Sequence, residues 1–298
     1  MSTISVGDLL FRIPVSNVLG EGVQWHIESQ SIWWTDIQTA TLFNFSIADK
    51  KLKTFAMPDR VGCFGFSNSE HELIVAFAKG IARYNLQTQE MTWISQPERD
   101  IRGNRFNDGR VDRQGRFWAG TMVEEKYTSE QSGALYMLNS AQNIQPMIEE
   151  INISNSLCWS PDGLTMYHCD SPLRTIYQYN FDPQTSKISH KKVFAKTPDN
   201  SFPDGATVDH LGGVWSAHWG GGKIVRYTAQ GDKSLELALP VSQPTCVAIG
   251  GKHLDWLIIT TAKESLSDAT ITKEPYAGDV FVYQLHGVKG IAEPQCVI

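Results

Sequence analysis

Hydrophobic and polar positions along this chain alternate in short runs, and the runs recur in groups. The clearest are Ile32–Asp36, Leu73–Phe77, Arg116–Gly120, Thr165–Cys169, Val214–His218 and Leu257–Thr261. A turn signal precedes each: His26–Gln30, Ser67–Glu72, Asp112–Gly115, Ser160–Gly163, Asp209–Gly213 and Gly250–Asp255. A third run follows each: Thr41–Phe45, Gly80–Tyr84, Ala134–Leu138, Thr175–Tyr179, Ile224–Tyr227 and Asp279–Tyr283. Alternation such as Leu42-Phe43-Asn44-Phe45 suits a strand that buries one face. The groups repeat every ~40 to 50 residues, the length of a four-stranded propeller blade. No window sustains a capped helical stripe. The pattern therefore predicts an all-β fold, a six-bladed β-propeller, with residues 1–298 as one domain. The run Leu9–Val15 stands ahead of the first blade, where it is placed to supply the outer strand of the last one.

Composition fits this picture. Nine Trp, nine Tyr and 24 Gly favour pleated sheet and tight turns. A net charge of −6 argues against nucleic acid or an anionic membrane as partner. The five cysteines, Cys63, Cys158, Cys169, Cys246 and Cys296, lack metal or redox spacing and read as reduced thiols. Met1–Val15 has no signal-peptide pattern and no run is long enough to span a bilayer, so a cytoplasmic protein is expected.

The candidate chemistry lies in the first strands. Glu21-Gly-Val-Gln-Trp25, Asn107-Asp-Gly-Arg-Val111, Asn155-Ser-Leu-Cys-Trp159 and Asp204-Gly-Ala-Thr-Val208 place an oxygen-bearing residue four positions before an apolar one. The corresponding positions in the other two blades are Gly62 and Gln243. First strands line the channel of a propeller, so the four oxygens converge on its axis. Taken singly, Asn107-Asp-Gly and Pro203-Asp-Gly read first as turns. Independent turns, however, have no reason to share a register. Two carboxylates and two amides form a hard-oxygen set, better suited to Ca²⁺, Mg²⁺ or Mn²⁺ than to a structural zinc. Arg105 falls on the same face, as do Asp36, Asp170, His218 and the loop after Thr121. His168 and the tryptophans at the second strands read as packing residues, with one or two Trp available as an apolar wall.

Leu19-Gly-Glu-Gly-Val-Gln-Trp25, Arg105-Phe-Asn-Asp-Gly-Arg-Val-Asp112, Gly120-Thr-Met-Val-Glu-Glu125, Ile153-Ser-Asn-Ser-Leu-Cys-Trp-Ser160 and Phe202-Pro-Asp-Gly205 occur in this order. Together they resemble the signatures of the senescence marker protein (regucalcin), gluconolactonase and luciferin-regenerating enzyme family, over essentially the whole chain. The resemblance implies hydrolysis of a sugar lactone with one divalent metal ion, Ca²⁺, Zn²⁺, Mn²⁺ or Mg²⁺. It assigns Glu21, Asn155 and Asp204 to the metal, Asp204 also to the role of general base, and Arg105, Asn107 and Glu125 to the substrate. It leaves Glu124–Ser132 as a polar stretch placed to act as a lid. Two departures, Val23 and Cys158, remove no ligand. The segments around Asn155 and Glu274–Tyr283 look more like bacterial pentonolactone and hexonolactone hydrolases, with L-arabinono-1,4-lactone the first expectation. The partner expected is the small-molecule lactone, with the protein a monomer or weak homodimer. Competing readings are a propeller stapled by a structural calcium ion and a broader esterase or organophosphate hydrolase.

Overall fold

The computed structural model describes residues 3–139, 143–198 and 200–298. Six four-stranded antiparallel sheets account for its 24 strands. The inner strands are Gly20–His26, Val61–Phe66, Asn104–Val111, Ser154–Trp159, Phe202–Val208 and Pro244–Gly250. They contact one another in that order, and the last contacts the first, so the sheets form a ring of six blades. The second and third strands fall where the alternating runs predict them, within one to three residues at each end.

The ring closes through the N-terminus. Ser5–Ile13 pairs antiparallel with Val280–His286 and becomes the outer strand of blade 6. This is the strand expected at Leu9–Val15, beginning four residues earlier. Asp279 secures the junction by accepting the amides of Val15 and Ser16 and by pairing with Arg12.

The core lies between blades rather than within one. Trp34, Trp118, Trp159 and Trp215 are fully buried. One apolar cluster joins Cys63 and Ile74 of blade 2 to Phe106, Phe117 and Leu138 of blade 3. The segment after the last strand crosses the face of the ring where the second strands begin. There Cys296 N donates to Phe66 O and Val297 N to Gly115 O (2.6 and 2.9 Å). The buried Arg110–Glu293 pair (2.5 Å) joins this tail to an inner strand. The helix Asp268–Lys273, N-capped by Ser267, lies in the long connection between the last two strands. Among the described residues no helix is long and apolar enough to cross a membrane.

Blade 2 supplies no oxygen to the axis for a steric reason. A Cβ on Gly62 would stand 2.6 Å from the Phe106 carbonyl oxygen and 2.7 Å from that of Asn107. Both neighbours are backbone and have little freedom to give. Gly62→Ala is accordingly expected to lower stability by about 1–3 kcal/mol. An unchanged denaturation midpoint would show that the inner strands are not in close contact there.

Candidate active site

Pairing between inner and second strands slips by one residue in every blade, and the slip shapes the site. In blade 1, Glu21 faces Thr35 and Gln24 faces Trp33, three steps against two. Blade 4 repeats this from Asn155 to Cys158. The residue after each ligand candidate is left-handed: Gly22 at φ 59° and Ser156 at φ 59°. Glycine takes that conformation freely. Ser156 holds it with its hydroxyl donating to the Asp204 carbonyl (2.5 Å). In blades 3 and 5 the slip comes one residue earlier and encloses Asn107 and Asp204 themselves. The four positions predicted to be equivalent are thus equally far from the following apolar residue, but they pair differently. Bulges of this kind re-aim side chains.

All four nevertheless reach one cavity. It is lined by Glu21, Arg105, Asn107, Asn155 and Asp204, with Ser171 and Glu264 and the apolar residues Leu19, Met122, Ile153, Pro172, Phe202, Pro203 and Trp219. Inner strands supply the donors at the floor. Connections between second and third strands supply Ser171, Pro172 and Glu264.

A hydrogen-bonded line orders the floor. Arg105 Nη1 donates to Asn107 Oδ1 (2.8 Å), and Asn107 Nδ2 donates to Asn155 Oδ1 (3.1 Å). Asn155 Nδ2 then donates to Ser171 Oγ (2.9 Å), which donates to Pro203 O (2.7 Å). This fixes both amides with their oxygens toward the arginine side. Ser171 was not anticipated from the sequence. Its only local signal is a Ser-Pro turn directly after a second strand.

Glu21 and Asp204 lie within hydrogen-bonding reach of each other, 8% and 6% exposed. Burial, reinforced by the charge of Asp108, pushes the Glu21 carboxyl up to about 8. Burial, then the charges of Glu21 and Asp108, raise Asp204 well above the carboxylate range. Asp108, which accepts the amides of Gly109 and Leu157, is a third acid at the axis that the register argument did not select. The nearest guanidinium, Arg105, is already engaged by Glu124. Carboxyls whose ionised forms lack a matching cation are thus gathered here, on hard oxygen donors. Such a donor set fits a divalent metal ion, with Glu21, Asp204 and the Asn155 amide oxygen as its holders.

Other predicted residues lie elsewhere. Asp36 accepts the amides of Val18 and Leu19, and Asp170 those of Asn152 and Ile153, so both pin chain entering a blade rather than facing the cavity. His218 is buried against the Tyr227 hydroxyl (3.2 Å), with burial lowering its pKa to about 4. His168 bonds Ser154 Oγ and is held neutral by burial, at about 3. Neither is placed to serve as a base. Trp219 does line the cavity, as one of the tryptophans available for an apolar wall.

Glu125 is not brought to the cavity. Its carboxylate accepts the Tyr127 hydroxyl on the protein surface. Glu124 stands beside Arg105 instead, accepting from Arg105 Nε (2.8 Å) and, in a bidentate pair, from Arg60 (2.8 and 2.9 Å). Partial burial opposes its ionisation, but the two arginines outweigh it and hold the carboxyl at about 2. Beyond Glu124 the stretch to residue 132 folds back toward its own blade, with Gln131 Nε2 donating to Arg102 O and Asn104 Oδ1, and none of residues 124–132 lines the cavity. Glu124→Gln is therefore expected to loosen Arg105 and lower kcat/KM by about tenfold or more, while Glu125→Gln changes it less than about twofold. The reverse order in steady-state kinetics would restore Glu125 as the residue that meets substrate.

Fold and floor together define a class: a six-bladed propeller with a hard-oxygen donor set at its axis, open to one cavity. Residues 19–263 match the family model described as SMP-30/Gluconolactonase/LRE-like region, and the chain belongs to that family. It is 34% identical over 280 residues to the L-arabinolactonase of Azospirillum brasilense, covering 93% of this chain and 92% of that one. The 6-deoxy-6-sulfogluconolactonase of Pseudomonas putida is also 34% identical, over 93% of this chain and 94% of its own. Among solved structures, a calcium-binding protein, regucalcin, from Agrobacterium tumefaciens superposes with a TM-score of 0.90 at 29% identity, covering 96% of this chain and 97% of its own.

Proposed function

We propose that this protein hydrolyses a sugar lactone to the corresponding aldonic acid, with a divalent cation held by Glu21, Asn155 and Asp204. The observation that carries this is the pair of buried carboxyls, Glu21 and Asp204, facing an open cavity beside an ordered amide pair. A bound divalent ion would supply Lewis-acid polarisation of the lactone carbonyl. Asp204 is the base: its carboxylate takes a proton from the attacking water as that oxygen bonds to the carbonyl carbon. When the ring C–O bond breaks, the proton passes from Asp204 to the departing ring oxygen, so the carboxylate is regenerated. Asn107 holds Arg105 in place, and Arg105 presents its remaining amino nitrogen as a fixed donor that orients the substrate. Relatives named lactonases at 34% identity over nearly the whole chain support the reading.

A structural calcium ion would serve as a staple, yet this donor set opens on a cavity of about 480 Å³ that a staple does not need. Following acid release across L-arabinono-1,4-, galactono-, xylono- and gluconolactone, each against its spontaneous hydrolysis, tests the proposal. Acceleration of at least one is expected, and no acceleration of any in the presence of Ca²⁺, Mn²⁺, Mg²⁺ or Zn²⁺ would refute it.

A further inference from the structure

Above its floor the cavity is apolar. Leu19, Met122, Ile153, Pro172, Phe202 and Trp219 form the wall. The volume, about 480 Å³, lies within the range of sites that enclose drug-sized ligands. Most of the polar atoms are already committed to each other. Both Asn side chains and Ser171 are used along the floor line. Arg105 spends Nε on Glu124 and Nη1 on Phe106 O and Asn107 Oδ1. Glu264 Oε1 accepts from Gln38 (2.5 Å). Among the described residues, a substrate reaching above the floor thus meets few uncommitted polar side-chain atoms, one oxygen of Glu264, the second amino nitrogen of Arg105 and the Trp219 indole N–H, against a mainly hydrocarbon wall.

A fully hydroxylated lactone suits such a wall poorly. Each hydroxyl buried without a partner weakens binding by roughly tenfold or more. Each methylene placed against an apolar wall strengthens it by about three- to fourfold. Resting on the lactonase reading, we infer that the substrate is a lactone deoxygenated on the carbons remote from the carbonyl. It is a deoxy-sugar lactone in which a methyl or alkyl group, not a hydroxymethyl, lies against Phe202 and Trp219.

Two substrate series test this on the intact protein with its divalent ion supplied. In the first, kcat/KM is compared for a 6-deoxyhexonolactone and the parent hexonolactone of the same configuration. The deoxy compound is expected to be favoured by about tenfold or more. In the second, γ-lactones with unbranched alkyl tails are expected to gain about three- to fourfold per methylene until the wall is covered. Phe202→Ser and Trp219→Gln should flatten that gain; as a ratio between substrates on one enzyme, it is unaffected by any loss of folded protein. Preference for the parent hexonolactone with a flat alkyl series would overturn the inference while leaving lactone hydrolysis standing, as would an undiminished gain in both variants. If no lactone of either series is hydrolysed, the lactonase reading fails, and the inference with it.

Discussion

Asp204→Asn is expected to lower lactone turnover by about a hundred- to ten-thousandfold, the span associated with a lost general base. The amide keeps the shape and the oxygen of the native side chain but cannot accept a proton from water. It should not harm the fold. Asp204 is buried against Glu21 with Asp108 nearby, and burial and like charge already work against its ionised form. The amide stands in for the neutral carboxyl that the site favours without metal, so the metal-free variant should melt no lower than the parent. The two roles assigned to Asp204 can be separated. If only a cation ligand were lost, excess divalent ion would restore turnover; if the base is lost, turnover stays low at saturating ion. Recovery to near parental kcat would remove Asp204 from the role of base, while the fold, followed by circular dichroism, shows whether the comparison is fair.

Much of the molecule is legible in the sequence because its blades are local objects. Each second strand is announced by a turn only a few residues ahead, and pairing with the third strand is short-range. The closing strand was legible as well, since an alternating run before the first blade has no other partner. The four axial residues were found because repeats place equivalent positions together. What stayed hidden depends on pairing detail or on distance. The bulge that moves by one residue between Glu21 and Asp204 leaves no mark on apolar spacing. Asp108 adjoins a selected residue and reads as part of a turn. Ser171 and Glu264 come from connections in two different blades, and only ring closure brings them to one wall. The choice between Glu124 and Glu125 turned on Arg60, more than sixty residues away in sequence, which no local pattern links to Glu124.

Metal binding should be coupled to proton release. Exhaustive chelation is expected to abolish lactone hydrolysis, and Ca²⁺, Mn²⁺ or Zn²⁺ to restore it. The floor also fixes how this varies with pH. Without metal, the folded protein holds Glu21 at about 8 against an ordinary 4.5, so near neutrality that carboxyl is largely protonated. A folded-state pKa raised above the unfolded value gives stability that is fully present below the unfolded value. That stability is lost as pH rises through the folded one. The metal-free protein should therefore lose thermal stability between about pH 4.5 and 8 from this group, with Asp204 adding in the same direction. A cation requires the ionised carboxylates, so it must displace the proton. Its affinity should rise by up to about tenfold per pH unit for each proton displaced, and its thermal shift should be larger at pH 8 than at pH 5.5. Titrating Ca²⁺ into chelated protein in two buffers of different ionisation enthalpy would measure the protons released, expected to approach one or more at pH 7. No release and a pH-independent affinity would mean that the carboxyls of Glu21 and Asp204 do not hold the ion.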